Sequence, residues 1–205
     1  SIYSKSFSGL FEGRYYYRVR GNHSSFANQG GASNVIEVLV PYTPPGNALK
    51  LNLIDNNDYV SIPSTQQNNF SINQDFTVEV WVKAPVNQAE LTNVDNDIIE
   101  KWNQNGGGGY PFVIRMYNQT HSYNGRITGA RFNGSSGIGV TSTTRINDNR
   151  WHHVTMVKQS NSLKLYIDGA LEDSVFDNLT GNTTNPFNLY IGGRNGWYNN
   201  YSGSV

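Results

Sequence analysis

Acidic side chains at alternate positions of one strand are the pattern with which this chain could hydrolyse a glycosidic bond, because two carboxyl groups must flank that bond at roughly 5 to 9 Å. Neither Glu79 nor Glu100 has an acidic residue two positions away. Asp95 and Asp97 have that spacing but lie at the end of a loop. We interpret them as turn residues that mark the boundary of a strand. No arrangement of serine, histidine and acid in the sequence indicates a serine that is activated as a nucleophile. We therefore predict no catalytic residues and no enzymatic activity.

The histidines do not have the spacing of metal ligands. His152 and His153 are neighbours in a predicted strand, where successive side chains point to opposite faces, so both imidazoles cannot reach one ion. His23 and His121 lie in other regions, and the chain has no cysteine. We do not expect a zinc site.

Calcium is the one candidate cofactor, because hard cations bind carboxylate and carbonyl oxygens and need neither cysteine nor histidine. The segment 55–58 offers two carboxylates and two amides within four residues. We predict Asp55 and Asp58 as metal ligands. The alternative, a polar turn between two strands, stays open.

Aromatic rings beside loops rich in glycine and asparagine could bind a sugar, since sugar C–H faces stack on rings and hydroxyls bond to amides and guanidinium groups. The alternative is that these rings close the ends of a sandwich. Tyr123, Tyr198 and Tyr201 have this setting. Arg115 and Arg131 are expected on the polar face of a sheet, facing a ligand or water. The other predicted ligand-binding residues are Trp102, Asn103, Asn105, Tyr110, Arg194, Asn195 and Trp197.

The composition predicts an all-β fold without a membrane span. The chain of 205 residues has 28 Asn and 21 Gly, which favour turns over helices. Its 15 basic and 15 acidic residues are spread without runs, which argues against nucleic acid or an anionic membrane as a partner. No apolar stretch approaches the roughly 18 residues that a transmembrane helix needs.

The pattern of short alternating runs indicates a sandwich or jelly roll. The run 76–82 places Phe76, Val78, Val80 and Val82 on one face, which we expect to be core. The dipeptide at 168–169 is Asp-Gly, which predicts a two-residue hairpin turn of type I′. Further strands are predicted at 48–54, 58–62, 97–102, 110–118, 125–132, 137–144, 151–159 and 187–192.

A proline-rich linker at 42–46 is predicted to separate two domains, because prolines fix extended backbone and remove donors. Before the linker, 15–20 and 34–40 alternate apolar and polar residues and predict an antiparallel pair of strands. Such a pair is marginal in water by itself. We expect the rest of this sandwich to be absent from the chain or supplied by a partner.

Both domains resemble known families. The sequences GRYYYRVRGN at 13–22 and ASNVIEVLVP at 32–41 resemble the last two strands of a fibronectin type III domain, which implies that 1–41 is part of an immunoglobulin-like sandwich. Residues 47–205 resemble a bacterial laminin G-like domain of the concanavalin A-like lectin/glucanase superfamily, a jelly roll. That resemblance rests on IIEKW at 98–102, RWHHV at 150–154, LYIGG at 189–193 and the segments 48–51, 57–63, 76–83 and 163–169.

The resemblance implies a binding or adhesion module of a larger secreted or cell-surface bacterial protein, with glycan or extracellular protein as its ligand. The glutamate and aspartate signature of the superfamily's glucanases is absent. The family pattern continues past residue 205 into a closing strand, so we expect the chain to begin inside one domain and end inside another. Two alternatives stay open: spacer domains of a surface filament, and the accessory domain of a secreted polysaccharide-degrading enzyme.

Overall fold

The computed structural model describes residues 13–17, 36–40, 47–51, 58–86, 95–103, 107–194 and 201–205. The chain divides into two units, residues 1–45 and 46–205. In the first, β1 (Gly13–Tyr17) and β2 (Ile36–Val40) form the predicted antiparallel pair, with Tyr15 opposite Val38. The remainder of the predicted fibronectin-like segment lies outside the described residues. Its assignment, the linker 42–46 and the missing closing strand stay predictions.

The second unit contains twelve described strands, most of them at the predicted positions. They are β3 (Lys50–Leu51), β4 (Val60–Ile62), β5 (Phe76–Lys83), β6 (Asp95–Glu100), β7 (Tyr110–Tyr117), β8 (Arg126–Phe132), β9 (Gly137–Arg145), β10 (Trp151–Gln159), β11 (Ser162–Ile167), β12 (Ala170–Phe176), β13 (Leu189–Ile191) and β14 (Gly203–Ser204). A single 3₁₀ turn, Gln66–Asn68, follows β4. The described residues contain no α-helix and so no helix that could cross a membrane.

The twelve strands form two six-stranded antiparallel sheets. Sheet A has the order β12-β11-β10-β5-β14-β3, and sheet B has the order β4-β13-β6-β7-β8-β9. The predicted all-β fold is confirmed, and its two antiparallel sheets are consistent with the predicted jelly roll.

The core lies between the sheets and follows the alternation of β5. Phe76, Val78 and Val82 are buried, and Val80 packs partly buried against the same cluster, which confirms the predicted face. Sheet B contributes alternate residues of β7, namely Phe112, Ile114 and Met116. Burial of these side chains supplies the main stabilisation of a domain without disulfides.

The predicted hairpin between β11 and β12 is present. Asp168 and Gly169 both have positive φ, 52° and 78°, as a type I′ turn requires. This turn also holds a histidine. His152 Nδ1 lies 2.8 Å from Asp168 Oδ2, and its Nε2 lies 3.0 Å from Asp148 Oδ1. His153, on the opposite face as predicted, lies against Trp81 in a tilted contact with ring centroids 4.8 Å apart.

A buried lysine joins the end of β6 to two loops. The Lys101 side chain is fully buried, and its Nζ donates to Ser64 Oγ at 3.0 Å, to the Asn185 carbonyl at 3.1 Å and to the Phe187 carbonyl. The Asn185 amide donates in return to the Lys101 carbonyl at 2.9 Å. Burial lowers the pKa of Lys101 to about 8. This oxygen cage fixes the residue that precedes Trp102.

A second buried charge lies at the edge of the core. Arg131 is fully buried, and its Nη1 lies 2.5 Å from Asp177 Oδ2. Its Nη2 donates to the Ile72 carbonyl at 3.1 Å, and its Cζ lies 5.7 Å from the Phe76 ring centroid. Arg131 therefore links the two sheets from within.

The two carboxylates around His152 predict a pH-dependent stability. Burial alone would lower the pKa of His152, but hydrogen bonds and charge attraction from Asp168 and Asp148 raise it. Because its pKa is raised, His152 adds to the free energy of unfolding. This stabilisation is fully present below the unfolded pKa of about 6.5 and is lost as pH rises through the folded pKa. In urea unfolding between pH 5 and 9, the loss of stability with rising pH should be smaller in His152→Gln than in the wild type. The control His153→Gln should keep the wild-type profile, and identical profiles for all three proteins would contradict the assignment.

Removing one partner of the Arg131–Asp177 pair should destabilise the domain strongly, because it leaves a buried charge uncompensated. We expect Asp177→Ala to lower the free energy of unfolding by about 3 kcal/mol or more. The double variant Arg131→Met/Asp177→Leu should recover much of this loss, since it removes both charges. Denaturant unfolding measures both, and a double variant no more stable than Asp177→Ala would contradict the interpretation.

Candidate functional site

The candidate site is the outer face of sheet B, meaning the side that points away from sheet A. Phe112, Ile114 and Met116 of β7 belong to the core. The residues between and after them, Val113, Arg115 and Tyr117, therefore point to the outer face.

An irregularity in β6 brings two acids together on this face. Asp97 pairs with Arg115 and Glu100 pairs with Val113, with a register shift between Asp97 and Ile99. Because Val113 and Arg115 share a face, Asp97 and Glu100 share it too, although they are three residues apart. A β-bulge has this effect, because one extra residue shifts the alternation of its strand.

Two arginines bind these acids and a third. Arg115 Nη1 lies 2.6 Å from Asp95 Oδ2, and its Nε lies 3.3 Å from Asp97 Oδ1. Arg194 Nη2 lies 2.9 Å from Asp97 Oδ2, and its Nε donates to Glu100 Oε2 at 3.1 Å. Asp97 and Glu100 are fully buried, whereas the Asp95 side chain is 30% exposed. The result is one connected network of five charged residues.

Glu100 holds a proton at neutral pH. Burial and the neighbouring charge of Asp97 raise its pKa to about 9, although Arg194 opposes the shift. A hydrogen bond with Asp97 contributes to the raised pKa of Glu100, and Glu100 Oε1 has no other partner among the described residues.

Local backbone geometry places Arg194 over β6. Gly192 follows β13 with φ of 90°, and its N–H donates to the Ile98 carbonyl at 2.9 Å. A Cβ at this position would lie 2.6 Å from Leu51 Cδ1. Glycine is therefore required here both for the left-handed backbone and for the close contact.

The network continues into an aromatic cluster at one end of β7. Arg194 Cζ lies 3.7 Å from the Trp102 ring centroid, and Tyr110 stacks on Trp102 at 4.4 Å. Phe132 lies next to Tyr110 at 5.7 Å. Such contacts hold the Trp102 ring in place, and they also occupy much of its stacking surface.

A second aromatic cluster lies at the other end of β7. His121 stacks on Tyr117 with centroids 4.0 Å apart, and Tyr123 lies 5.4 Å from His121. Arg126 Cζ lies 5.3 Å from the Tyr123 ring. Tyr123 is 45% exposed. The outer face of sheet B thus has an aromatic cluster at each end and the charged network between them.

The structure brings together four of the predicted ligand-binding residues, Trp102, Tyr110, Arg115 and Arg194. Asn103, also predicted, packs its side chain against Gly108, where a Cβ would lie 1.9 Å from the Asn103 amide nitrogen. Asn105, Asn195, Trp197 and Tyr198 lie outside the described residues.

Two expectations need correction. Arg131 was expected on a polar face, but its position on β8 points it into the sandwich, where it is fully buried against Asp177. Tyr201 was grouped with the loop aromatics, but it is 1% exposed and belongs to the core. Neither side chain can reach a ligand in solvent.

Sequence reasoning missed the acids of the network. The sequence predicts Asp95 and Asp97 at a strand boundary, but both lie within β6 and bind Arg115. Glu100 has no acidic residue two positions away, so regular strand alternation predicts no acidic partner for it. The three-residue spacing of Asp97 and Glu100 signals a shared face only when a bulge is known.

The described part of the structure does not bring the predicted calcium ligands together. Asp58 is exposed before β4, and Asp55 lies outside the described residues. Within the described ranges, no group of three or more His, Asp or Glu side chains is arranged to hold a metal. Calcium binding stays a prediction.

The protonated Glu100 predicts how stability depends on pH. Because its folded pKa of about 9 exceeds the ordinary value of 4.5, its contribution is fully present below about pH 4.5 and is lost as pH rises through 9. Glu100→Gln keeps a neutral group that accepts from Arg194 and donates to Asp97. The variant should therefore gain stability relative to the wild type as pH rises from 5 to 9, by at most about 1.4 kcal/mol per pH unit.

Urea unfolding at several pH values tests this expectation. The control Glu79→Gln changes a largely exposed carboxylate on sheet A and should follow the wild type. Parallel profiles for the wild type and Glu100→Gln would show that Glu100 is ionised in the folded protein.

Two solved structures are similar to the chain in fold. One is the binding domain of Paraclostridial Mosquitocidal Protein 1, with a TM-score of 0.56 and 18% identity, over 70% of this chain and 34% of that one. The other is the mouse laminin alpha1 chain, domains LG4-5, with a TM-score of 0.54 and 19% identity, over 77% of this chain and 38% of that one. The chain thus spans little more than a third of either structure.

No curated protein sequence matches the chain. A family model does: Laminin_G_3, described as concanavalin A-like lectin/glucanases superfamily, matches residues 55–205. This range contains both aromatic clusters and all five residues of the charged network. The chain therefore belongs to the concanavalin A-like lectin/glucanases superfamily, through its Laminin_G_3 domain.

Proposed function

We propose that the chain is a non-catalytic binding and adhesion module of a larger secreted or cell-surface bacterial protein. Its ligand is a glycan or another extracellular molecule, bound at the outer face of sheet B. The observation that carries the proposal is the fixed network of Asp95, Asp97, Glu100, Arg115 and Arg194 between two aromatic clusters. A rigid polar surface flanked by rings suits carbohydrate, which presents apolar C–H faces and hydroxyls together.

The burial of the acid pair supports binding over catalysis. A general acid or base must come within hydrogen-bond reach of its substrate. Asp97 and Glu100 are fully buried, and Arg194 bonds to both. A substrate would have to displace Arg194, which would leave Glu100 without its guanidinium partner and Asp97 with Arg115 alone. The pair is therefore better suited to hold the face rigid than to transfer a proton.

The accessible groups of the network are suited to hydroxyl recognition. Asp95 is the most exposed at 30%, followed by Arg194 at 18% and Arg115 at 13%. A partly exposed carboxylate beside guanidinium groups offers acceptors and donors side by side. These groups are already held by each other, so little side-chain entropy is lost on binding.

The comparisons support the general role and leave the ligand to experiment. One structural relative is the binding domain of a mosquitocidal protein, and the other is part of a laminin chain. One fold serves many functions, and the chain covers about a third of each relative. Calcium held by Asp55 and Asp58 is part of the proposal.

A glycan array probed with the full chain, with and without calcium, tests the proposal. We expect binding to at least one glycan, and Asp95→Ala should weaken it about fivefold or more through loss of hydroxyl contacts. The matched control Glu79→Ala removes an exposed carboxylate from sheet A and should leave binding unchanged. Silence across the array at millimolar sensitivity would contradict glycan binding and leave an extracellular protein as the ligand.

A further inference from the structure

Two arginines face each other on the outer face of sheet B, and no carboxylate of the described residues lies between them. Arg126 of β8 pairs directly with Arg145 of β9. Arg145 is exposed, and its neighbour Ile146 is fully buried, so the Arg145 side chain points away from the core. Among the described residues, neither guanidinium has a carboxylate within 4.0 Å.

This arrangement costs stability in the absence of a ligand. Like charges directly opposite each other on neighbouring strands repel. The acid that contacts the end of β9, Glu172, does not relieve the repulsion, because its carboxylate accepts from the backbone and hydroxyl groups of Thr143 and Thr144. An anion bound between Arg126 and Arg145 would remove the repulsion and gain charge-assisted hydrogen bonds.

The arginine pair adjoins an exposed ring. Arg126 Cζ lies 5.3 Å from the centroid of Tyr123, which is 45% exposed. Tyr123 rests against His121, which in turn stacks on Tyr117. By contrast, Arg194 and Tyr110 already contact the Trp102 ring closely. Of these two rings, Tyr123 is therefore the better placed to stack on a sugar.

The turn that carries Tyr123 is preorganised. Its backbone hydrogen bonds include Gly125 N–H to the Tyr117 carbonyl at 2.9 Å and Arg126 N–H to the Tyr123 carbonyl at 2.9 Å. The buried Asn118 accepts from the Thr120 N–H at 3.0 Å and from its hydroxyl at 2.7 Å. A ring on such a turn can bind with little further loss of conformational freedom.

We infer that the turn between β7 and β8, together with the end of β9, is a subsite for an acidic sugar. The sugar ring stacks on Tyr123, and its carboxylate or sulfate group bonds to Arg126 and Arg145. This inference rests on the proposed function and deepens it by naming a ligand class. Both arginines of the central network already contact carboxylates, so the preference for an anion comes from this end of the face.

Titration calorimetry of the full chain with three hexasaccharides tests the inference. The probes are a carboxylated galacturonate oligomer, a sulfated chondroitin oligomer and an uncharged β-1,4-linked glucose oligomer. At least one acidic probe should bind about tenfold or more tightly than the neutral one, and added salt should reduce the difference. Arg126→Gln and Arg145→Gln should each weaken binding of that acidic probe about fivefold while leaving the neutral probe unchanged. Tyr123→Ala should weaken both kinds of probe, and Tyr123→Phe should not.

Two controls on sheet A separate local from general effects. Lys164→Gln removes a positive charge and Phe176→Ala removes an exposed ring, and neither should change any affinity. Equal affinities for acidic and neutral probes, or an Arg145→Gln variant that behaves like Lys164→Gln, would overturn the subsite and leave the proposed function standing. Failure of all three probes and of the glycan array would overturn both the subsite and glycan binding, and would leave an extracellular protein as the ligand. Competition by polyglutamate as strong as that of an acidic hexasaccharide would overturn the sugar assignment.

Discussion

The bulge in β6 is the constraint on which the candidate site depends. Regular alternation would place Asp97 and Glu100 on opposite faces of sheet B, with one acid directed into the apolar core. The extra residue instead places both on the outer face, opposite Arg115 and Val113. Two carboxyl groups so close in a buried position cannot both ionise at low cost. The proton on Glu100 and the guanidinium of Arg194 follow from this geometry.

The burial of this acid pair and its contacts with Arg194 explain why the centre of the face is rigid. Arg194 contacts Asp97, Glu100 and the Trp102 ring at once, so its position is fixed by charge and by packing together. Gly192 supplies the backbone reversal that brings it there. A network with so many mutual contacts resists rearrangement. It therefore separates the two ends of the face into distinct environments, one around Trp102 and one around Tyr123.

The fold could be predicted from the sequence because its signals are local. Alternation from Phe76 to Val82 and the Asp168–Gly169 turn each determine a structure within a few residues. The sequence also predicts Trp102, Tyr110, Arg115 and Arg194 as site residues. The pairing of Asp97 with Glu100 could not be predicted, because it depends on a bulge. The facing of Arg126 and Arg145 depends on register between strands, and the burial of Arg131 depends on which side of β8 faces the other sheet.

Lys101 has a consequence for how this domain can evolve. Its ammonium group fills an oxygen cage formed by Ser64, Asn185 and Phe187, and the cage suits a compact point charge better than a planar guanidinium. A lineage that replaced this lysine by arginine would need compensating changes in two loops at once. Loss of the lysine would leave carbonyl oxygens facing one another without a cation. Divergence among descendants should therefore be slow at this internal position, even where the outer face of sheet B changes freely.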